Sequence, residues 1–374
     1  MNNLKLQKNK NILIVTHSLN LEGAPFFLYN LAIGLKKNGH FVSLASPCDG
    51  PLKSFFQKQK IPVEIMDFTL QETEISKFEG RYDLILVNTI IGYKFIKKVD
   101  FEKEKIVWCL HESERDFYFN HFEDLNEKIF SQVNKIVFSS QATKEIYEDL
   151  NTNNNFTIIN TLGNWENINE YIDKNQKRII KKKLGFKKDD IIINIIGTIC
   201  LRKGQLEFTE ATIKILNRLN NPKLKFLMVG GGRGYEYEKE IRKKIEASGF
   251  QDQIIIVNET KNIFDYYFIS DIFVCNSYIE AFPMVILEAM AFGLPIVSTD
   301  AYGIAEQLED EKSALLIMPG DTKALEEKII KLIKNPSLAK TLGKNAQKRL
   351  KEKFPFEKMI AEYDSLIQEV CSNE

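Results

Sequence analysis

Cysteine is scarce and unpatterned. The five that occur (Cys48, Cys109, Cys200, Cys275, Cys371) are odd in number, widely spaced and show no CxxC or Cys/His ligand spacing. That excludes a disulfide scaffold and a structural zinc site, and predicts buried free thiols in a reducing compartment. Net charge is lacking too, since 51 Lys+Arg balance 51 Asp+Glu; binding of nucleic acid through a global positive field is not expected. No window approaches the about 18 apolar residues of a membrane span. Ile191 to Leu201 comes nearest, and it contains Asn194 and Gly197. No signal-type apolar region precedes the short run Ile12 to Val15. The expectation is a cytoplasmic protein, at most peripheral at the inner face of the cell membrane. A short-period repeat and low-complexity tracts are also missing, which argues against a solenoid.

What is present is a chain of 374 residues, 44% hydrophobic, longer than one core usually serves, so two domains are expected. Short apolar runs alternate with helical patterns throughout. In the first half the strand-like runs are residues 11–16, Phe41 to Ala45, Val63 to Met66, Leu84 to Val87, Ile106 to Cys109, Ile136 to Phe138 and Phe156 to Ile159. This βα alternation is the grammar of a parallel sheet. Composition shifts at Asn164 to Asp190, a polar, lysine-rich stretch. A basic run is usually a solvated face; attraction to an anionic membrane or polymer is the alternative. Further strand runs begin at Ile191, Leu224, Ile254, Ile272, Ile296 and Ala314. The last helical pattern, from Phe356, places Met359, Ile360, Tyr363, Leu366, Ile367 and Val370 on one stripe.

The most informative stretch runs from Asp271 to Asp300. An apolar strand ends in the polar corner Asn276-Ser277, a loop carries Glu280, and Pro283 opens a helix that Gly293 and Pro295 stop. Glu280 stands where open α/β sheets place their ligands. Glu288 falls two turns further on, inside an otherwise apolar helix. The free N–H groups around Met284 and Val285 form a natural anion site. Taken alone, the spacing of the two acids also fits an ordinary surface helix with a loop acid.

The segment SYIEAFPMVILEAMAFGLPIVSTDAYGIAE closely resembles the E-x7-E donor segment of retaining glycosyltransferases of family 4 (glycosyltransferase group 1), which adopt the GT-B fold. The likeness extends from the two acids to Phe282, Pro283, Glu288 to Ala291, Gly293 to Pro295 and Gly303. The resemblance implies an α/β protein of two Rossmann-like domains whose parallel sheets face a central cleft. The first domain would cover 1–165, joined by a C-terminal helix (356–374) that crosses back. A linker and lead-in helix would cover 166–190, and the nucleotide-sugar domain 191–355. Glu288 would bind the ribose hydroxyls, and Glu280 the hydroxyls of the transferred sugar. Gly197, Arg202, Lys203 and Gly204 resemble the family's diphosphate clamp, with Lys203 as its lysine. Thr198 stands where many members have arginine, and Arg202 is the residue able to supply that charge. The amides of Phe282, Pro283's neighbours Met284 and Val285 would help to hold the diphosphate, and Thr260 would contact the base. In the first domain, Gly23 matches the glycine facing the donor phosphates and His111 the histidine facing the sugar; each reads equally as a structural residue on its own. His17 is a weaker candidate of the same kind, while His40 and His121 read as surface or helix-flank residues.

The resemblance implies a sugar transferred from a nucleoside diphosphate, UDP by default, to a carbohydrate or lipid-linked acceptor in cell-surface glycan synthesis. No cofactor and no metal are expected, since no Asp-x-Asp stands at a strand end. The alternatives are a sugar-nucleotide epimerase on the same fold, a non-catalytic nucleotide-sugar-binding relative, and an exported two-domain solute-binding protein. The aromatic stretch Phe117 to Phe119 fits either an acceptor contact or a helix core face.

Overall fold

Runs of Ile, Leu and Val that are apolar on both faces can be satisfied only as strands of a sheet covered on both sides. The computed structural model, which describes residues 9–70, 75–231 and 234–372, arranges them in this way twice. The first sheet contains β1 (Asn11–Val15), β2 (Phe41–Ser46), β3 (Val63–Ile65), β4 (Leu84–Asn88), β5 (Ile106–Leu110), β6 (Lys135–Phe138) and β7 (Phe156–Ile158), in the order β3-β2-β1-β4-β5-β6-β7. The second contains β8 (Ile191–Ile196), β9 (Leu224–Gly231), β10 (Ile254–Asn258), β11 (Ile272–Cys275), β12 (Ile296–Thr299) and β13 (Leu315–Ile317), in the order β10-β9-β8-β11-β12-β13. Every neighbouring pair is parallel. Strand order reverses direction between β1 and β4 in one sheet and between β8 and β11 in the other. Such switch points leave a crevice at the carboxyl ends of the strands, where ligands bind.

The chain divides into two compact units: Met1–Gly163 together with Pro355–Glu374, and Asn164–Phe354. The stretch 166–190 forms two helices, Glu166–Lys174 and Lys177–Lys183, both grouped with the second unit. Three of its lysines serve internal contacts there. Lys177 donates to Ser270 O and Asp271, each at 2.8 Å, Lys181 is 5% exposed and donates to Asp190 O, and Lys183 pairs with Asp265 at 2.8 Å.

The terminal helix Phe356–Ser372 belongs to the first unit because its apolar stripe is buried there. Ile360 lies so close to the helix Gly23–Lys37 that a Cβ on Gly34 would meet its Cδ1 at 2.2 Å, so any larger residue there would force Ile360 to move. Polar residues fix the register. Asp364 is 1% exposed and accepts from Asn38 Nδ2 at 2.9 Å and from His40 Nε2 at 3.0 Å. His40 Nδ1 accepts the Lys10 N–H at 3.1 Å, which places the ring proton on Nε2, toward the carboxylate. His40 is therefore buried at 4% exposure rather than superficial; its partner lies 324 residues away, beyond any local pattern. The thiols also divide: Cys109 and Cys275 are buried in strands, but Cys48 is exposed and Cys200 and Cys371 are half-buried. Those three lie outside strand interiors, in loops or a last helical turn. Among the described residues, no helix is long and apolar enough to cross a membrane.

Candidate functional site

In the second unit, candidate functional side chains collect at the switch point between β8 and β11. Beyond β8 the chain makes a 3-10 turn, Leu201–Lys203, closed by Gly204 at φ +66°. A Cβ at Gly204 would meet Asn276 O at 2.2 Å, so left-handed backbone and close approach both demand glycine. That approach lets Asn276 Nδ2 donate to Gly204 O at 2.9 Å and the Tyr278 N–H to Arg202 O at 2.8 Å. Two loops 77 residues apart are thus bonded backbone to backbone, and their side chains meet.

The meeting point is Glu280, 8% exposed. Its Oε1 pairs with Lys203 Nζ, accepts from Ser277 Oγ at 2.9 Å, and lies 3.4 Å from Arg202 Nη1. Burial acts to raise this carboxyl, but Lys203, Arg202 and Ser277 outweigh it, and the group stays below the usual carboxylate value. The stem of Lys203 lies over Gly197, at whose Cβ position its Cε would be 3.7 Å away. The loop is braced from outside as well. Tyr278 Oη donates to Glu207 Oε1 at 2.7 Å, and the Gly303 N–H donates to Glu280 O at 3.0 Å.

Glu288 lies on the helix Met284–Ala291 and accepts from Tyr267 Oη at 2.6 Å. Tyr267 is fully buried and stacks on Phe292 at 5.4 Å. Burial pushes the Glu288 carboxyl up to about 7, with the Tyr267 hydrogen bond opposing. Two carboxylates eight residues apart in one unit thus have opposite characters, one pinned ionised by cations and the other poised near neutrality. Between them the helix begins after Pro283, so the amides of Met284 and Val285 have no carbonyl of an earlier turn to bind. Phe282 is 5% exposed and packs edge-on against Phe354, which fixes the helix start. Thr260 is not joined to this cluster: its hydroxyl accepts the Asn262 N–H at 3.1 Å, a local cap. Gly232 and Arg233, within the glycine cluster after β9, lie outside the described residues.

The first unit gathers polar groups at its own switch point. His111 follows β5, Asn88 and Thr89 close β4, and His17 follows β1. Asn88 Nδ2 donates to Ala24 O, so its Oδ1 accepts from His111 Nε2 at 2.8 Å, and His111 Nδ1 lies 3.3 Å from Thr161 Oγ1. Burial first, and His17 second, bring the His111 imidazole down to about 4. It is a neutral ring with both nitrogens engaged. Thr89 adopts φ +65°, costly for a β-branched residue. It is held by Trp108 Nε1 donating to its carbonyl at 2.7 Å and by a 3.2 Å contact between its hydroxyl and His17 Nδ1. Strain of this kind persists at functional sites. Gly23 is the exposed first residue of its helix, with nothing within 4 Å of its Cβ position. Of the aromatic stretch, Tyr118 and Phe119 pack on the core, whereas Phe117 is 57% exposed. Sequence reasoning missed Ser277 as a ligand of Glu280, the Glu207–Tyr278 brace, Tyr267 and Thr89; only Ser277 had a local signal, its place at a strand's polar end.

Two family models match consecutive stretches of the chain: glycosyl-transferase family 4 over residues 8–175 and glycosyl transferases group 1 over residues 176–349. The chain belongs to this glycosyltransferase family. It is 26% identical over 195 residues to the N-acetyl-alpha-D-glucosaminyl L-malate synthase of Bacillus anthracis, covering 52% of the chain and 50% of the relative. It is 27% identical over 183 residues to the capsular polysaccharide biosynthesis glycosyltransferase CapM of Staphylococcus aureus, covering 48% and 46%. The chain thus spans about half the length of these relatives. The crystal structure of HepE from Anabaena in complex with UDP-glucose matches at TM-score 0.82 and 20% identity, covering 98% of this chain and 100% of that one. That likeness establishes the fold, two Rossmann-like units of the GT-B class.

Proposed function

We propose that the protein transfers a sugar from a nucleoside diphosphate, UDP by preference, to a hydroxyl of a carbohydrate or lipid-linked acceptor, with retention at the anomeric carbon and without a metal. The observation that supports this most is the convergence of Lys203, Arg202 and Glu280 at the switch point of the second unit, beside the open amides of Met284 and Val285. Glu288 receives the ribose hydroxyls and Glu280 those of the sugar. Lys203, Arg202 and the helix amides hold the diphosphate. The bond from anomeric carbon to phosphate oxygen breaks with its electron pair going to the diphosphate, whose growing charge the fixed cations stabilise. The acceptor oxygen bonds the carbon on the same face, and its proton passes to the departing phosphate oxygen. His111, neutral and engaged at both nitrogens, serves as a positioning ring and not as a proton donor. The two curated relatives differ in what their names say they make, a malate conjugate and a capsular polysaccharide, so the acceptor class rests on the wider resemblance. Peripheral contact with an anionic membrane at the cytoplasmic face is part of the proposal, though three lysines of the basic stretch are engaged within the protein.

Thermal unfolding with UDP, GDP, ADP, dTDP and CMP, each with and without EDTA, tests the reading. A ligand at about 100 times its Kd adds about 2.7 kcal/mol, a shift of a few degrees. An EDTA-insensitive shift with one diphosphate is expected; no shift with any of them, or with their sugar conjugates, overturns the proposal. Hydrolysis or isomerisation of the donor without acceptor would favour the epimerase alternative.

A further inference from the structure

Lys203 is the best-placed cation for a diphosphate, yet its ammonium is paired to Glu280, whose Oε1 also takes Ser277 Oγ and lies near Arg202. One ammonium cannot stay pinned on that carboxylate and bind a diphosphate fully, so the two anions compete for it. Glu280 is 8% exposed, and a buried carboxylate that loses its cation is costly unless new donors replace it. We propose that Glu280 discriminates against the bare nucleoside diphosphate and thereby speeds its release. This rests on the nucleotide-sugar reading of the site.

A sugar-bearing donor brings hydroxyls that hydrogen-bond Glu280 as Lys203 turns to the phosphates, so the carboxylate exchanges one set of donors for another. A diphosphate without a sugar offers Glu280 no donor: it draws away Lys203, and Arg202 with it, and leaves the carboxylate with Ser277 and a like charge nearby. The device is a repulsive element aimed at the wrong ligand, which is how selectivity between near-identical ligands is built. After transfer the sugar has left with the acceptor, Glu280 again competes for Lys203, and the product is expelled. Uniform attraction for diphosphate would instead bind product as firmly as donor and slow each turnover.

Calorimetric titration of wild type, Glu280→Gln, Glu280→Ala and Lys203→Met with inorganic pyrophosphate, UDP, GDP, ADP and UDP-glucose tests the inference. Glu280→Gln keeps an acceptor for Ser277 while removing the charge. It is expected to bind pyrophosphate and the preferred diphosphate about tenfold more tightly than wild type, a change of about 1.4 kcal/mol, and a matching sugar nucleotide no more tightly. Glu280→Ala should change in the same direction, so the inference stays testable if one variant misfolds, and Lys203→Met should lose binding. Equal or weaker binding of pyrophosphate and diphosphate by both Glu280 variants overturns the inference while leaving the nucleotide reading intact. Tighter pyrophosphate without binding of any nucleoside diphosphate supports the competition and overturns the nucleotide reading. No binding of any ligand overturns both.

Discussion

Replacing Glu288 with Gln should stabilise the free protein and weaken its hold on nucleotide. The carboxyl is raised from its ordinary value of 4.5 to about 7, chiefly by burial. A raised value means that the protonated form favours the fold. That advantage is complete below the unfolded value and is lost as pH rises through about 7. The full shift corresponds to about 3 kcal/mol at about 1.4 kcal/mol per unit. Because the side chain is only partly buried, about 1–3 kcal/mol is the expected penalty above neutrality. Glutamine carries no charge and can still accept from Tyr267 Oη, so Glu288→Gln should raise the melting temperature by several degrees at about pH 8. The gain should shrink toward zero by about pH 5, where the native carboxyl is itself protonated.

Binding should move the other way. A carboxylate accepting two ribose hydroxyls contributes about 1.5–3 kcal/mol, so Glu288→Gln should weaken nucleotide binding by about tenfold or more. Wild-type affinity should also fall as pH drops below about 7, where Glu288 takes up a proton. Thermal unfolding across pH together with nucleotide titration measures both. A variant no more stable than wild type at alkaline pH, or a stability gain independent of pH, would refute the electrostatic account. A stable variant with undiminished nucleotide affinity would refute the role.

Lys203→Met should lower turnover by about two orders of magnitude or more and, because it strands the buried Glu280 carboxylate, lower the melting temperature as well; the Lys203→Met/Glu280→Gln double variant should regain stability but not turnover, and recovery of both would point to a structural lysine. Tyr278→Phe and Glu207→Gln should each lower turnover, and a double-mutant cycle should give a coupling of about 1 kcal/mol for their 2.7 Å bond; independent effects would mean the brace does not position Glu280. The His111 ring should show no titration by NMR between about pH 5 and 8, since its folded value is near 4. Its contribution to stability is present above the unfolded value of 6.5 and is lost as pH falls toward 4. A midpoint near 6.5 would refute its burial. Asp364→Ala strands His40 and Asn38 and should destabilise the first unit by about 2–4 kcal/mol, seen as lowered thermal stability; a neutral effect would mean the terminal helix is held by its apolar stripe alone.

The second unit was far more legible in sequence than the first, for a physical reason. Its candidate site groups lie in short loops at strand ends and on the helix that follows one of them, so the run from Ser277 to Glu288 displays turn, acid, helix start and second acid in order. Lys203 and Gly204 are identified by their likeness to the family's diphosphate clamp, and the left-handed backbone of Gly204, at φ +66°, shows why a glycine stands there. The character of those groups was not legible. Burial decides that Glu288 is poised near 7, and the burial comes from Tyr267 and the surrounding packing, in a helix that reads simply as core. In the first unit, His111 stood out at a strand end, but its tautomer depends on Asn88 and Thr161, 23 and 50 residues away. His40 gave no sign of Asp364.

The basic stretch shows how charge can mislead when counted along the chain. Eight basic residues between Lys174 and Lys188 suggest a surface for anions, yet Lys177, Lys181 and Lys183 are already engaged by Asp271, Asp190 O and Asp265, and Lys181 is buried. Helical spacing explains the division. Lys177 and Lys181 are four apart on the helix Lys177–Lys183 and share the face that meets the rest of its unit, while Ile179 is left 54% exposed on the other. Asp271 also accepts the Ile192 N–H at 2.9 Å and heads β11. The lysines therefore neutralise a carboxylate at the amino-terminal edge of the switch-point strands, the opposite end from Lys203 and Glu280. A cation for substrate must stand at the carboxyl end, where Arg202 and Lys203 lie beyond β8.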